Sequence, residues 1–497
     1  MKLLRSLATE EANIKAWLFE ECYHRVGDLA ETISLVVPAG KDNFSLTLCD
    51  LVEHHLLPLQ GESQDNQRQR IRQLWRSHSR KQVFVLSKLM TGAFRIGVSA
   101  KLVHRAMAHA FDLPATTITH RLMGDWEPSE EFFDSLKNPV AASEVASQPF
   151  PFFLANAIKD SPNALGTCKD WLAEWKWDGI RAQVIHRNSE TFIWSRGEDL
   201  VNTQFPEIVE AANHLPNGTV LDGELLAWNE ETQLPLSFSA LQKRLGRKTV
   251  GDKLRRAIPV TLIAFDLLEH SGQDIREKPL VERQTQLSQV LSNLPSIRRP
   301  IQKSLFSEMD NEVCGVPAIQ TTGLIRFESW EQLQAIRKSS GERKVEGVML
   351  KRASSTYQVG RPVGDWWKWK VDPFTVDAVL IYAQRGHGRR ANLYSDYTFA
   401  VWKAGELVPF AKAYSGLTDE EMRKVDAFIK SNTRESFGPV RSVEPEMVFE
   451  LAFENIQRSS RHKSGIAVRF PRISRWRHDK APKDADNLDS ILAMLDS

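Results

Sequence analysis

The spacing of apolar residues changes twice along this chain of 497 residues, near residues 140 and 370. Residues 1–140 carry apolar positions near helical spacing, and Ser99 is placed to cap the helical run "SAKLVHRAMAHAFDL". From about residue 150 to 370, short β-rich runs alternate with helical ones. Residues 371–497 hold several short strands and one helical run, "TDEEMRKVDAFIKS". The pattern predicts a multidomain protein with an all-α domain, an α+β domain and a small β-barrel such as an OB-fold.

Short runs of sequence place the individual strands and the longest helix. The strand candidates are "AQVIHR", "ETFIWSR", "TVLDGELLAW" and "VTLIAFDLL" in the middle segment, and "VDAVLIYAQ", "YTFAVWK" and "MVFELAFENI" in the last. The long polar segment from Glu277 to Asn293 predicts a helix. The stretch "NPVAASEVASQPFPFF" contains three prolines and many small residues, which predicts a linker after the first domain.

The charge of the chain is nearly balanced but unevenly distributed. With 65 basic and 63 acidic residues the net charge is +2, so net charge alone indicates no polyanionic partner. From Arg68 to Arg105, however, there are ten Lys or Arg and no Asp or Glu, and from Arg458 to Lys483 nine against the single acid Asp479. Such blocks are either solvated basic faces or two surfaces that touch one nucleic acid.

The cysteines and apolar runs exclude several classes of protein. Four scattered cysteines never form a CxxC pair, which argues against a structural zinc site or a disulfide framework and fits a reducing compartment. No stretch approaches ~18 consecutive apolar residues, and the first residues contain no long apolar run. We therefore expect neither a membrane span nor secretion, and predict a cytoplasmic location.

One short stretch, "EWKWDGIRAQV" from Glu174 to Val184, places Lys176 between Trp175 and Trp177. An isolated lysine in a strand is normally a solvated side chain. An amine that attacks phosphorus must instead be deprotonated, and burial together with a nearby cation favours the neutral form. The two tryptophans could supply an apolar wall and a bound metal the cation, so Lys176 is a candidate nucleophile.

An ordered series of motifs accompanies this lysine. It runs "SRGE" (195–198), "LDGEL" (221–225), "AFDLL" (264–268), "EGVMLK" (346–351), "WWKWK" (366–370) and "RFPR" (469–472). The series resembles the covalent nucleotidyltransferase superfamily, and most closely the ATP-dependent DNA ligases, over essentially the whole chain. The stretch "LSKLMTGAFRIGVSAKLVHRAMAHAF" is similar to the helical DNA-binding domain of the larger ligases. The resemblance implies a helical DNA-binding domain (1–140), an adenylation (nucleotidyltransferase) domain (150–370) and an OB-fold domain (371–497).

The resemblance also implies the reaction and the site residues. Lys176 would attack the α-phosphate of ATP, form a lysine–AMP phosphoramidate and release pyrophosphate. The other implied roles are Glu174 accepting from the adenine amino group, Phe265 stacking on adenine, Arg181 and Glu224 binding ribose, Arg196 holding phosphate, Glu346 with Glu224 binding Mg²⁺ or Mn²⁺, and Asp178 assisting the metal or orienting the nick. Lys368 and Lys370 alternate along a strand, so they share one face and would meet the α-phosphate. The alternative interpretation of Phe265 is that it is an ordinary residue of the hydrophobic core.

The resemblance also implies roles for three arginines outside the central motifs. Arg361 would bind the nucleotide, although ligases of this type commonly carry an arginine pair before "WWKWK" and here Pro362 stands where the second arginine would be. Arg469 and Arg472 would orient pyrophosphate only if the last domain folds over the nucleotide, about a hinge at 371–373. Their alternative role is binding DNA phosphate alone.

Three functional hypotheses follow. The first is an ATP-dependent DNA ligase that seals nicks between 5′-phosphate and 3′-hydroxyl ends in duplex DNA, acting as a monomer near the nucleoid of a prokaryote. The second is an RNA ligase or a capping-type guanylyltransferase, which share the lysine motif. The third is a catalytically silent protein that binds DNA ends. The absence of a zinc site and of extra C-terminal modules favours ATP over NAD as the nucleotide.

Overall fold

The structure is a computed structural model that describes residues 1–38, 40, 46–92, 98–123, 126–138, 146–158, 161–294, 317–386, 390 and 392–495. Part of the predicted linker lies outside these residues. The described chain forms two compact units, one made of Met1–Gly97 with Asp372–Ser497 and the other of Val98–Val371. No helix among the described residues has the length and apolar content needed to cross a membrane.

Through residue 137, the described secondary structure is helical. The helices are α1 (Lys2–Glu11), α2 (Ala16–Val26), α3 (Leu29–Val36), α4 (Leu48–Asp50), α5 (Gln64–Ser77), α6 (Arg80–Thr91), α7 (Ala100–Phe111), α8 (Ala115–Arg121) and α9 (Glu130–Lys137). The predicted cap is confirmed, because the side chain of Ser99 accepts a hydrogen bond from the backbone N–H of Leu102 at the start of α7. Leu7, Phe19 and Trp75 are fully buried in the core of α1–α6.

The basic block of the first segment is partly neutralised by acids from outside the block. Among the residues of this block that the structure describes, five form ion pairs: Arg68 with Glu10, Arg70 with Glu62, Arg72 and Arg76 with Glu11, and Lys88 with Asp28. Arg80 and Lys81 remain exposed. Counting charges along the sequence therefore overstates the positive charge that this segment offers to a polyanion.

The middle segment contains two mainly antiparallel sheets. Its strands are β1 (Asn156–Ala157), β2 (Trp171–Trp175), β3 (Ile180–Arg187), β4 (Glu190–Ser195), β5 (Thr219–Asn229), β6 (Leu234–Pro235), β7 (Val260–His270), β8 (Gln273–Asp274), β9 (Ile319–Thr321), β10 (Leu324–Ile325), β11 (Gly347–Arg352) and β12 (Trp366–Lys370). The first sheet has the order β1-β12-β11-β2-β10, and the second β4-β3-β5-β7-β8, with β6 beside β5 and β9 beside β7. The chain passes from the first sheet to the second between β2 and β3.

The helices of the middle segment cover these sheets. They are α10 (Pro206–Ala212), α11 (Phe238–Leu245), α12 (Asp252–Ala257), α13 (Leu280–Ser292) and α14 (Trp330–Lys338). The predicted helix over Glu277–Asn293 is α13, which starts later because Pro279 occupies its N-cap. α10, α11 and α13 contribute Ile208, Leu241 and Leu287 to the core of the second sheet.

The last segment is rich in β-strands. Its elements are β13 (Phe374–Arg385), β14 (Tyr394–Lys403), β15 (Glu406–Ala413), α15 (Asp419–Ser431), β16 (Thr433–Phe437), β17 (Val440–Val443), β18 (Val448–Phe453), β19 (Asn455–Arg458), β20 (Ile466–Arg469), β21 (Arg472–Trp476) and α16 (Leu488–Ala493). β13 is central and pairs with β14, β17 and β18. The predicted helix is α15, which begins with a capping box between Thr418 and Glu421.

A buried ion pair attaches α13 to β7. Arg283 and Asp266 are both fully buried, and the guanidinium donates to the two carboxylate oxygens over 2.8 and 2.9 Å. Arg283→Met leaves the Asp266 carboxylate without its partner, so we expect the free energy of unfolding to fall by about 3–5 kcal/mol. Urea unfolding checks this value. The matched change Arg255→Met removes a more exposed pair with Glu210 and should cost about 0–1 kcal/mol. Equal costs for the two variants would contradict the prediction.

His120 at the end of α8 packs on the middle segment, with its ring stacked 5.4 Å from that of Phe150. Burial, helped by Arg276 and Arg187, lowers the pKa of His120 from 6.5 to about 4. Because the folded pKa lies below the unfolded one, the stabilisation is complete above pH 6.5 and is lost as the pH falls toward 4.

We expect the unit that contains His120 to lose about 2 kcal/mol of unfolding free energy between pH 8 and pH 5 through this residue. His120→Phe keeps an aromatic ring against Phe150 and should remove that part of the pH dependence. Unfolding curves at the two pH values measure it, with His214→Phe, a change at an exposed histidine, as the control. Identical pH dependence in the wild type and His120→Phe would rule out this contribution.

Candidate active site

Lys176 lies in the four-residue connection between β2 and β3, where the chain leaves the first sheet. Its backbone N–H donates to the carbonyl of Gly347 over 2.8 Å, and its own carbonyl accepts from the N–H of Glu346, also over 2.8 Å. These two bonds extend the β2–β11 ladder by one residue. They fix the backbones of Lys176 and Glu346 side by side, although the two residues are 170 positions apart.

The side chains of the same two residues form an ion pair at the centre of a charged cluster. The carboxylate of Glu346 contacts Lys176 Nζ at 2.5 Å and Lys370 Nζ at 3.2 Å. Burial alone would raise the pKa of Glu346, but the two lysines lower it below its ordinary value. Burial, Lys370 and Arg361 lower the pKa of Lys368. Cations exceed carboxylates around Glu346, which suits a ligand that carries several negative charges.

Glu224 on β5 faces the same connection from the second sheet. The N–H of Gly179 donates to its carboxylate over 3.2 Å. Burial raises the pKa of Glu224 to about 7, against the influence of Lys176 and Arg181. Gly179 has to be glycine here, because a Cβ would lie 2.2 Å from the carbonyl oxygen of Leu225. Asp178 is close enough to raise the pKa of Glu224 further.

Arg181 is held by a carboxylate that the sequence analysis did not single out. Its guanidinium donates to both oxygens of Asp222, over 3.1 and 2.7 Å, and to the carbonyl of Phe153 over 2.6 Å. The hydroxyl of Tyr357 also donates to Asp222, over 2.6 Å. Burial raises the pKa of Tyr357 well above its ordinary value, and Asp222 adds to the rise. An acid buried in an apolar strand needs such partners, and that requirement was the available signal for Asp222.

Glu174 of β2 and Phe265 of β7 share two neighbours, Lys351 and Gln284. Glu174 is 1% exposed, and its carboxylate contacts Lys351 Nζ at 2.8 Å and accepts from Gln284 over 3.2 Å. Phe265 is only partly buried, and Lys351 Nζ lies 4.3 Å from its ring centroid. Gln284 also donates to the carbonyl of Phe265 over 2.5 Å. Lys351 and Gln284 were not among the predicted site residues.

The two tryptophans anchor the connection rather than forming one wall. Trp177 packs with Leu226, Trp228 and Ile263 of the second sheet and donates to the hydroxyl of Thr322 over 3.2 Å. Trp175 packs into the cluster of the first sheet. The two tryptophans therefore pack against different sheets, and Lys176 between them keeps 20% of its side chain exposed.

The structure does not gather all predicted residues around Glu346. Arg196 is exposed at the end of β4, where its N–H donates to the carbonyl of Arg181 over 3.0 Å. Arg361 is exposed but close enough to influence Lys368. Arg469 and Arg472 belong to the other compact unit, where Arg472 contacts Glu454 at 3.7 Å. No group of three or more His, Cys, Asp or Glu among the described residues forms a metal site on its own.

Comparisons with known proteins cover nearly the whole chain. Family models described as "DNA ligase N terminus", "ATP dependent DNA ligase domain" and "ATP dependent DNA ligase C terminal region" match residues 1–108, 152–370 and 390–480. A "Probable DNA ligase" of Koribacter versatilis is 36% identical over 408 residues, which are 81% of this chain and 70% of that protein. A "DNA ligase" of Methanococcoides burtonii is 28% identical over 98% of this chain and 87% of its own length. The solved structure "Pmar-Lig_Pre" shares the fold with a TM-score of 0.59 at 16% identity, over 95% of this chain and 94% of that one.

Proposed function

Because this chain belongs to the ATP-dependent DNA ligase family, it seals nicks in DNA through a lysine–AMP intermediate, and we propose that Lys176 is the nucleophile. The observation that carries the proposal is the fixed pairing of Lys176 with Glu346, through both backbone and side chain. The first hypothesis of the sequence analysis is thus confirmed as to family and activity. The RNA ligase, capping and silent-binding alternatives have no support from the relatives.

The three matched regions suggest how the chain divides its tasks. We propose that residues 1–140 bind DNA, that residues 150–370 form the adenylation domain and that residues 371–497 form an OB-fold. The all-helical described part of the first segment and the β-rich last segment support this division. The proposed substrate is duplex DNA with a 5′-phosphate and a 3′-hydroxyl at the nick.

In the first step Lys176, whose side chain is 20% exposed, would lose its ammonium proton to solvent, and its neutral Nζ would attack the α-phosphorus of ATP. A P–N bond forms, the bond from the α-phosphorus to the bridging oxygen breaks, and pyrophosphate leaves. Lys370, which lies next to Lys176 across Glu346, and Lys368 on the same strand would stabilise the negative charge that develops on the α-phosphate. The excess of cations around Glu346 supports this role.

A divalent cation fits the same cluster. Glu346 offers hard carboxylate oxygens and is already balanced by two ammonium groups, and Glu224 is a second carboxylate near Lys176. Mg²⁺ is typically held by one or two carboxylates together with substrate phosphates, so a larger acidic cluster is unnecessary. Bound there, Mg²⁺ or Mn²⁺ would neutralise phosphate charge and favour the uncharged form of the lysine.

The remaining site residues are proposed to bind the nucleotide and the nick. Glu174 would accept a hydrogen bond from the adenine amino group, with Phe265 stacked on the base. Glu224 would bind ribose, and Arg181, which Asp222 already holds, would contact ribose from a fixed position. The remaining proposed roles are phosphate binding by Arg196 and Arg361, and orientation of the metal or the nick by Asp178.

The test is a panel of sealing reactions. The protein is incubated with ATP or GTP labelled at the α-phosphate, first alone and then with nicked DNA or RNA duplexes. We expect label on the protein from ATP, and then a sealed DNA strand. Efficient transfer of GMP, or sealing restricted to RNA, would contradict the proposed substrates.

A further inference from the structure

Glu174 is a buried carboxylate held by two donors from different elements. Lys351 of β11 contacts one carboxylate oxygen at 2.8 Å, and Gln284 of α13 donates to the other over 3.2 Å. Both donors also reach the carbonyl of Phe265, over 3.4 Å from Lys351 and 2.5 Å from Gln284. The acid proposed to read the adenine amino group is thus tied to the ring proposed to stack on the base.

The protonation state of Glu174 decides which bases it can bind. An ionised carboxylate only accepts hydrogen bonds, so it suits the 6-amino group of adenine and repels the 6-oxo group of guanine or hypoxanthine. A protonated carboxyl donates one hydrogen bond and can pair with a 6-oxo group. Which state is present in the pocket therefore sets the selectivity for the nucleotide.

The groups around Glu174 oppose one another. Burial raises the pKa of Glu174, and Asp266 and Asp222 add to the rise, while Lys351 lowers it. Asp266 is paired with Arg283, and Asp222 with Arg181. Lys351 is 1% exposed, so its charge is little screened by water, and it also lies 4.4 Å from the ring centroid of Trp366.

We propose that Lys351 is a positioning residue that keeps Glu174 ionised and oriented, with Gln284, and thereby makes the enzyme select ATP over 6-oxopurine nucleotides. The inference rests on the proposed contact between Glu174 and the base. It assigns a task to the last residue of the "EGVMLK" motif, for which the reaction itself provides no role. Lys351 would perform this task through its buried ion pair with Glu174 and not through contact with the substrate.

The experiment compares lysine labelling from ATP and ITP, both labelled at the α-phosphate. Hypoxanthine differs from adenine only at position 6 and in carrying a proton on N1. ITP therefore tests the contact with this edge of the base and leaves the rest of the nucleotide unchanged. The wild type should prefer ATP by at least about 100-fold in kcat/KM. Lys351→Met, which keeps the apolar stem, should reduce that preference about 10-fold or more. Lys351→Arg should retain it, and Lys338→Met, a change at an exposed lysine of α14, serves as the matched control.

The pH profile separates this role from a structural one. In Lys351→Met, labelling by ATP should rise with pH as Glu174 ionises, and labelling by ITP should fall, with a midpoint above that of the wild type. The inference is overturned if Lys351→Met loses labelling by ATP and by ITP equally at every pH while Glu174→Gln has an altered ratio of ATP to ITP labelling. That outcome leaves the proposed function intact. An unchanged ratio in Glu174→Gln instead removes the proposed base contact itself.

A second variant covers failure of Lys351→Met to fold. Glu174→Gln combined with Lys351→Met replaces the buried ion pair by two neutral side chains of similar size. Its ratio of ATP to ITP labelling should not change with pH, because the titrating group is gone. A ratio that still varies with pH would show that another group sets the selectivity, which overturns the inference.

Discussion

Lys176→Ala should abolish transfer of AMP from ATP to the protein, a loss of at least about 10³-fold. The amine that forms the P–N bond is removed, and the neighbouring ammonium of Lys370 is separately placed on β12. The measurement is a denaturing gel after incubation with ATP labelled at the α-phosphate. Sealing of an ordinary nick should disappear with the label.

Two controls make this result specific. Lys338→Ala changes an exposed lysine of the same compact unit and should label normally. Lys176→Ala should still bind nicked DNA and should close a nick that is supplied already adenylated, because that step does not need the lysine–AMP bond. Normal labelling of Lys176→Ala would end the assignment of the nucleophile.

Much of the fold was accessible from local patterns. The predicted strands and the helices α13 and α15 are present because apolar spacing, proline and caps act within a few residues. The break between α5 and α6 is also local: it lies at His78 and Ser79, and Ser79 forms a capping box with Gln82 at the start of α6. The Ser-x-x-Gln spacing was the signal for that break.

Contacts between distant parts of the chain were less accessible. The neutralisation of Arg72 and Arg76 by Glu11 depends on how α5 packs on α1, which no charge count along the sequence contains. In the site, Glu174 and Arg181 were predicted to have a role, but their ion-pair partners Lys351 and Asp222 were not, although all four residues stand inside quoted motifs. The two pairs depend on how strands far apart in sequence lie side by side.

The ion pair with Glu346 needs the ammonium form of Lys176, whereas attack on phosphorus needs the neutral amine. The pairing of Lys176 with Glu346 therefore describes a state that differs in charge from the reacting one. A divalent cation held by Glu346 together with the phosphates of ATP would supply the positive charge that this carboxylate receives from Lys176 in the ion pair. On the roles proposed for Lys176 and Glu346, the same carboxylate would link nucleotide binding to activation of the nucleophile.

The arginines of the "RFPR" motif should act in the first step and not in the last. Arg469 ends β20 and Arg472 begins β21, and Phe470 in the two-residue connection between them has a positive φ of 53°. If the C-terminal segment closes over bound ATP, the two guanidinium groups would orient pyrophosphate as the leaving group. After pyrophosphate leaves, that attraction is gone and the segment is free to turn another face to DNA about residues 371–373.

Arg469→Ala and Arg472→Ala should each slow formation of lysine–AMP by about 10²–10³-fold, the usual cost of removing one stabilising donor. Closure of a nick that is supplied already adenylated should be largely spared, because pyrophosphate has no part in it. Arg475→Ala is the matched control, since Arg475 lies on β21 with Arg472 and pairs with Glu450 at 3.0 Å. If the arginines bind only DNA phosphate, the pattern reverses: lysine–AMP forms at the normal rate, closure of the adenylated nick is impaired, and the binding of nicked DNA depends less steeply on salt than in the wild type. Measuring both steps with all three variants therefore decides whether this segment serves the nucleotide or only the DNA.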